Sequence, residues 1–123
     1  MFLEQFMSNH IALFLVIMAD FVQVAKASDI KEGRLKSVNA NGEDVTIANV
    51  NGKYYAIAAI CNHAGWDLAE GELEGESIVC AGHGAKWNLL TGEAEFDEPL
   101  HPEPLYDIKV EEDLIWTKKR SLD

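Results

Sequence analysis

Cys61-Asn62-His63 and Cys80-Ala81-Gly82-His83 decide how this chain is read. They contain its only two cysteines, and each cysteine is followed closely by a histidine. The short gaps let both side chains of a pair stand at the tip of one loop. Two such loops brought together offer two thiolates and two imidazoles, a donor set suited to a soft metal centre. Two centres fit four such ligands. One is a single tetrahedral zinc, closed and structural. The other is a [2Fe–2S] cluster with two cysteines on one iron and two histidines on the other. Ligand count alone does not separate them.

The flanking residues do. The first box continues Cys61-Asn62-His63-Ala64-Gly65-Trp66-Asp67-Leu68, and the second Cys80-Ala81-Gly82-His83-Gly84-Ala85-Lys86-Trp87, followed by Asn88 and Thr91-Gly92. This pattern resembles the Rieske family, whose boxes read C-x-H-x-G-x-x-L and C-x-x-H-G-x-x-F. Both boxes match, as do the spacer between them and the glycine that follows each histidine. The departures are Ala81, where proline is usual, and Trp87, where phenylalanine is common. Neither removes a ligand.

The resemblance runs from Met18 to about Arg120. It implies an all-β chain: a small antiparallel β-sandwich with an inserted cluster-binding subdomain. It also implies one Rieske-type [2Fe–2S] cluster held by Cys61, His63, Cys80 and His83. The function implied is that of a soluble ferredoxin, a one-electron carrier from a flavoprotein reductase to a terminal oxygenase of the aromatic-ring dioxygenase type. High-potential members carry an extra cysteine in each box, joined as a disulfide, and two hydroxyl side chains that donate to the cluster and a ligand sulfur. The corresponding positions here are Trp66 and Gly82, and Ala85 and Trp87. With fewer donors to sulfur the reduced cluster is less stabilised, so a low potential is expected.

Composition supports one folded domain. The chain has 123 residues, 48% of them hydrophobic, which is enough for a real core and too apolar for disorder. A net charge of −11 argues against nucleic acid or an anionic membrane as partner. It fits docking onto a basic protein face, though acidity also serves plain solubility. With both cysteines used as ligands no disulfide is left, and a reducing, cytoplasmic setting follows most simply. Ile11–Ala19 is a nine-residue apolar run, far short of the ~20 residues needed to span a bilayer. Residues 1–17 do not share the later pattern. They are expected to be an extension, disordered or absent from the native protein, with the domain over 18–120 and a tail at 121–123.

Within the domain, Phe21–Ala25 reads as a strand. Ser28–Gly33 reads as one helical turn capped by Ser28. Asn41-Gly42 and Asn51-Gly52 mark hairpins joining Leu35–Val38, Val45–Ala48 and Tyr54–Ile60. The last of these is apolar on both faces and is expected to be central. Asp67, Glu70, Glu72, Glu74 and Glu76 read first as a solvated loop and alternatively as an acidic rim beside the cluster for partner docking. Ser77–Cys80 leads into the second box and Lys86–Leu90 leads out. Leu105–Val110 and Leu114–Thr117 form a last hairpin. The proline-rich Pro99–Pro104 cannot be a central strand, and by position it resembles the loop that covers the cluster in Rieske domains, with His101 on its surface.

Two other readings use the same residues: the small Rieske subunit of a nitrite reductase-like system, and a structural zinc-binding interaction domain. A redox-sensing regulator could also share the cluster. A catalytic oxygenase subunit would need a second iron domain for which the chain is too short, so it is not read as an enzyme. A monomer is the default for a shuttling carrier. The missing hydroxyls place the midpoint potential near the bottom of the family range of roughly −150 to +300 mV. Redox titration should find it there, and Ala85→Ser should raise it. A clearly positive wild-type midpoint, or an Ala85→Ser variant with no shift, would refute the donor argument.

Overall fold

The computed structural model describes residues 20–61 and 65–120. The expectations for residues 1–17 and 121–123, and for His63, lie outside them. All the sheet pairings are antiparallel, as the all-β reading requires.

Three hairpins build the larger sheet. β2 (Leu35–Ala40) turns at Asn41-Gly42 into β3 (Glu43–Val50), which turns at Asn51-Gly52 into β4 (Lys53–Ala58). Both turns need positive φ at two successive residues. Asn-Gly supplies it, with φ of 56° and 91° in the first turn and 54° and 91° in the second. β1 (Val22–Lys26), β9 (Leu105–Glu111) and β10 (Leu114–Lys119) complete a six-stranded sheet in the order β1-β10-β9-β4-β3-β2. The β9–β10 turn uses Glu112 and Asp113 at φ of 50° and 68°, where an L side chain costs roughly 1–2 kcal/mol per residue. The Asp113 carboxylate holds this turn by accepting from the Ser28 N–H at 2.9 Å and the Ser28 hydroxyl at 2.8 Å. Ser28 is therefore an anchor for a distant hairpin and not a helix cap. The helical turn is shorter than expected, a 3₁₀ turn over Ala27–Asp29.

A smaller sheet runs β5 (Glu72–Glu74), β6 (Ser77–Val79), β7 (Lys86–Asn88) and β8 (Ala94–Glu95). β5 replaces part of the expected acidic loop: Leu73 points inward between two outward glutamates, an alternation too short to stand out in sequence.

β4 is central, between β9 and β3, and divides two cores. Tyr54, Ala56 and Ala58 face one with Val45, Ile47, Tyr106 and Ile115. Tyr55 and Ile57 face the other, which includes Leu68, Ile78, Ala85, Trp87, Leu89 and both cysteines. The second core joins the two sheets, and the cysteines are part of it.

Tyr106 tests the first core. Burial, then the neighbouring Glu43 and Glu103 carboxylates, hold its phenol above the ordinary value of 10.0. The fold thus favours the neutral form. Its contribution is complete below the unfolded value and is lost as pH rises through the higher folded one. Tyr106→Phe should remove part of the alkaline decline in stability. Urea midpoints at pH 8 and above pH 10 that fall equally in both proteins would refute this.

Candidate metal centre

The two boxes fold into the same loop. Cys61 N–H donates to the Trp66 carbonyl at 2.8 Å, and Gly65 N–H returns to the Cys61 carbonyl at 2.7 Å. In the second box Cys80 N–H donates to Ala85 at 2.8 Å and Gly84 N–H to Cys80 at 3.0 Å. Gly65 and Gly84 occupy the same place in each loop, with φ of 74° and 79°. A side chain there would be strained, which explains a glycine at one fixed distance from each cysteine. The histidines, one residue apart in relative position, are not what the two loops share.

These loops bring Cys61 and Cys80 together. Both cysteines are buried, at 0% and 2% exposure, and are close enough to influence each other. Burial pushes the Cys80 thiol up, the adjacent Cys61 adds to this, and the backbone N–H groups of Gly82 and His83, donating to the Cys80 sulfur, oppose it. Donors aimed at a buried sulfur are the surroundings that a metal-bound thiolate needs. Among the described residues, no third His, Cys, Asp or Glu joins the thiol pair in a group that could hold one ion. A centre with two thiolates on one iron and imidazoles on another needs no third protein ligand at that pair.

His83 is exposed, beside a depression lined by Gly84, Lys86, Glu95, Phe96 and Asp97. Its imidazole therefore lies on the solvent side of the buried thiols. His63, the fourth candidate, lies outside the described residues. His101 is exposed on the proline segment. That segment packs beside the cysteine core and is anchored at two points. Leu100 packs against the core containing the cysteines. The Glu103 N–H donates to the Gly92 carbonyl at 2.8 Å, and the Ala58 N–H donates to Pro104 at 2.9 Å.

Two features were not read from the sequence. The indole of Trp66 rests on the backbone of Gly82, so these two positions are spatial neighbours. Trp87 is fully buried in the cysteine core with no hydrogen-bond partner for its Nε1–H. Counting hydroxyls at positions 85 and 87 overlooked that donor. The acidic rim is also less free than its charges suggest. Asp67 caps a 3₁₀ turn through the Ala69 N–H at 2.8 Å, Glu74 pairs with Lys86 at 2.8 Å, and Glu76 accepts from the Tyr55 hydroxyl at 2.9 Å.

Residues 20–109 match the family model of the Rieske [2Fe–2S] domain. The chain belongs to the Rieske [2Fe–2S] domain family. Its cofactor is accordingly a Rieske-type [2Fe–2S] cluster, and the paired buried thiols with sulfur-directed donors fit that group. The chain is 30% identical over 91 residues to the ferredoxin component of biphenyl 2,3-dioxygenase from Rhodococcus jostii (strain RHA1), covering 74% of this chain and 85% of that one. It is 29% identical over 92 residues to the biphenyl dioxygenase ferredoxin subunit of Pseudomonas sp. (strain KKS102), with 74% and 84% covered. Among solved structures it resembles a chain from the complex of reduced oxygenase and oxidized ferredoxin in carbazole 1,9a-dioxygenase. The TM-score is 0.77 at 27% identity, with 85% of this Rieske chain and 98% of the other covered.

Gly92 pins the cover. It has φ of 77°, and a Cβ there would run into the Glu103 carbonyl. Gly92→Ala should loosen the proline segment through roughly 1–2 kcal/mol of backbone strain and hasten loss of cluster absorbance in chelator. Loss at the wild-type rate would show that the pin is dispensable.

Proposed function

We propose that this Rieske chain is a one-electron carrier between a reductase, of the flavoprotein kind, and the terminal oxygenase of an aromatic-ring dioxygenase system. Cys61 and Cys80 hold one iron and His63 and His83 the other. When bound, the cluster takes up and gives back a single electron. The observation that carries the reading is the buried thiol pair, with its donated N–H groups, in a chain so similar to ferredoxin components. Such components carry electrons and are not the catalytic subunits. No site for an organic substrate is needed. The exposed His83 imidazole offers the short path between the buried centre and a docked partner.

The distribution of charge supports a docking role for this end. Residues 60–104 carry ten carboxylates against one cation, Lys86, whereas the rest of the described chain carries nine of each. The net charge of the described residues is thus concentrated on the cluster-binding part, which favours a basic partner face. Among the described residues no helix is long and apolar enough to cross a membrane. A cytoplasmic, monomeric carrier fits this reading.

Low-temperature EPR of the dithionite-reduced protein, with iron, sulfide and zinc analysis, tests the assignment. The expected result is a rhombic signal of low average g with two irons per chain; one zinc and no signal would end the reading. Electron transfer to the oxygenase should slow steeply from low salt towards 1 M, where the screening length is about 3 Å. Rates indifferent to salt would remove the acidic docking face.

A further inference from the structure

Gly82 is glycine for want of space. Unlike Gly65 and Gly84, it is not in the left-handed region. A Cβ at this position would lie 2.7 Å from Trp66 Nε1 and 2.9 Å from Cγ, closer than real Cβ atoms approach anything. A side chain of the first box therefore rests directly on the backbone of the second. The peptide beneath it matters to the site, because Gly82 and His83 supply the N–H groups that donate to the Cys80 sulfur. Trp66 is tied to the other cysteine as well, through its carbonyl, which accepts from the Cys61 N–H at 2.8 Å. One residue thus engages both ligand loops, its backbone on one and its indole on the other. Trp66 is 45% exposed as a residue, so its place against Gly82 is not explained by burial alone.

We propose that Trp66 is a positioning residue: with Gly82 it forms a steric latch that holds the two ligand loops in register over the cluster and keeps water from the donors to Cys80. It acts through Gly82. The proposal rests on the assignment of Cys61 and Cys80 as ligands. The latch needs both halves. An indole too large for its seat is as damaging as an empty seat, so Gly82→Ala acts by displacing Trp66. That makes the effects of the two substitutions interdependent in a predictable way.

The test is loss of the visible chromophore in excess chelator, measured on the full-length, cluster-loaded chain. Trp66→Ala and Gly82→Ala should each hasten loss about tenfold, the scale of coupling between contacting residues. Trp66→Phe, which keeps an aromatic ring over Gly82, should restore most of the lifetime. The double variant Trp66→Ala/Gly82→Ala should lose its cluster no faster than Trp66→Ala alone, because the added methyl then meets empty space. Gly82→Ala at the wild-type rate, or rates that multiply to about a hundredfold in the double variant, would overturn the latch while leaving the ligand assignment intact. A wild-type chain that binds no two-iron centre would overturn the ligand assignment, and the latch with it. Should Trp66→Ala fail to fold, Trp66→Phe and Gly82→Ala still decide the matter, since the latch requires the first to be mild and the second severe.

Discussion

Two thiols lie side by side in an apolar interior, and the smaller half of the molecule is arranged around them. As neutral groups, cysteines pack like small hydrophobic residues and can complete a core. As thiolates they would be costly to bury without a compensating cation. Buried thiols of this kind would need a metal to take the place of their protons if they were to become thiolates. Burial that raises the Cys80 thiol and backbone N–H groups that favour its thiolate act in opposite directions on one sulfur.

The smaller sheet could not present those thiols by itself. Its strands are three, three, three and two residues long, well below what an isolated sheet needs for stability. It is held by sharing a core with Ala48 and Ile57 of the larger sheet. That sheet keeps a second core of its own, which contains neither cysteine. The division separates framework from site. Hairpins with local pairing fix β2, β3 and β4, and β4 delivers Cys61 to the rim of a structure already formed. The proline segment then packs against the shared core through Leu100 and is pinned at Gly92 and Ala58.

Much of this was legible because the relevant signals are local. Asn-Gly pairs fixed two turns, alternation sorted Tyr54, Ala56 and Ala58 from Tyr55 and Ile57, and the cysteine boxes pointed to the two cysteines that the fold buries together. What escaped was either non-local or hidden by similar chemistry. Ser28 looked like a helix cap because serine caps helices, yet its partner is Asp113, far along the chain. Glu72 and Glu74 looked like solvated loop because a three-residue strand is shorter than any usable period. The Trp66–Gly82 contact falls where high-potential relatives carry a disulfide, so the resemblance implied that the positions are neighbours but not that an indole would fill the space above Gly82. Trp87 read simply as an aromatic wall, since nothing in sequence shows that its indole N–H would be left without a partner.

The concentration of carboxylates around the site raises the question of what they do to the electron. Reduction adds a negative charge, so each carboxylate opposes it. One unit charge about 10 Å away in water contributes roughly 0.4 kcal/mol before screening, and ionic strength near 0.15 M reduces that to about 0.1 kcal/mol. Ten of them sum to about 1 kcal/mol, equivalent to a few tens of millivolts for a one-electron couple, given 59 mV per factor of ten. A single hydrogen bond to a charged group is worth about 1.5–3 kcal/mol. A donor that strengthens by half of that amount on reduction matches the whole acidic collar in its effect on the potential. The collar's larger effect is on encounter, where its field is summed over the approach of a partner and falls off only over about a Debye length. The acidic collar is thus better suited to attracting a basic partner than to tuning the potential.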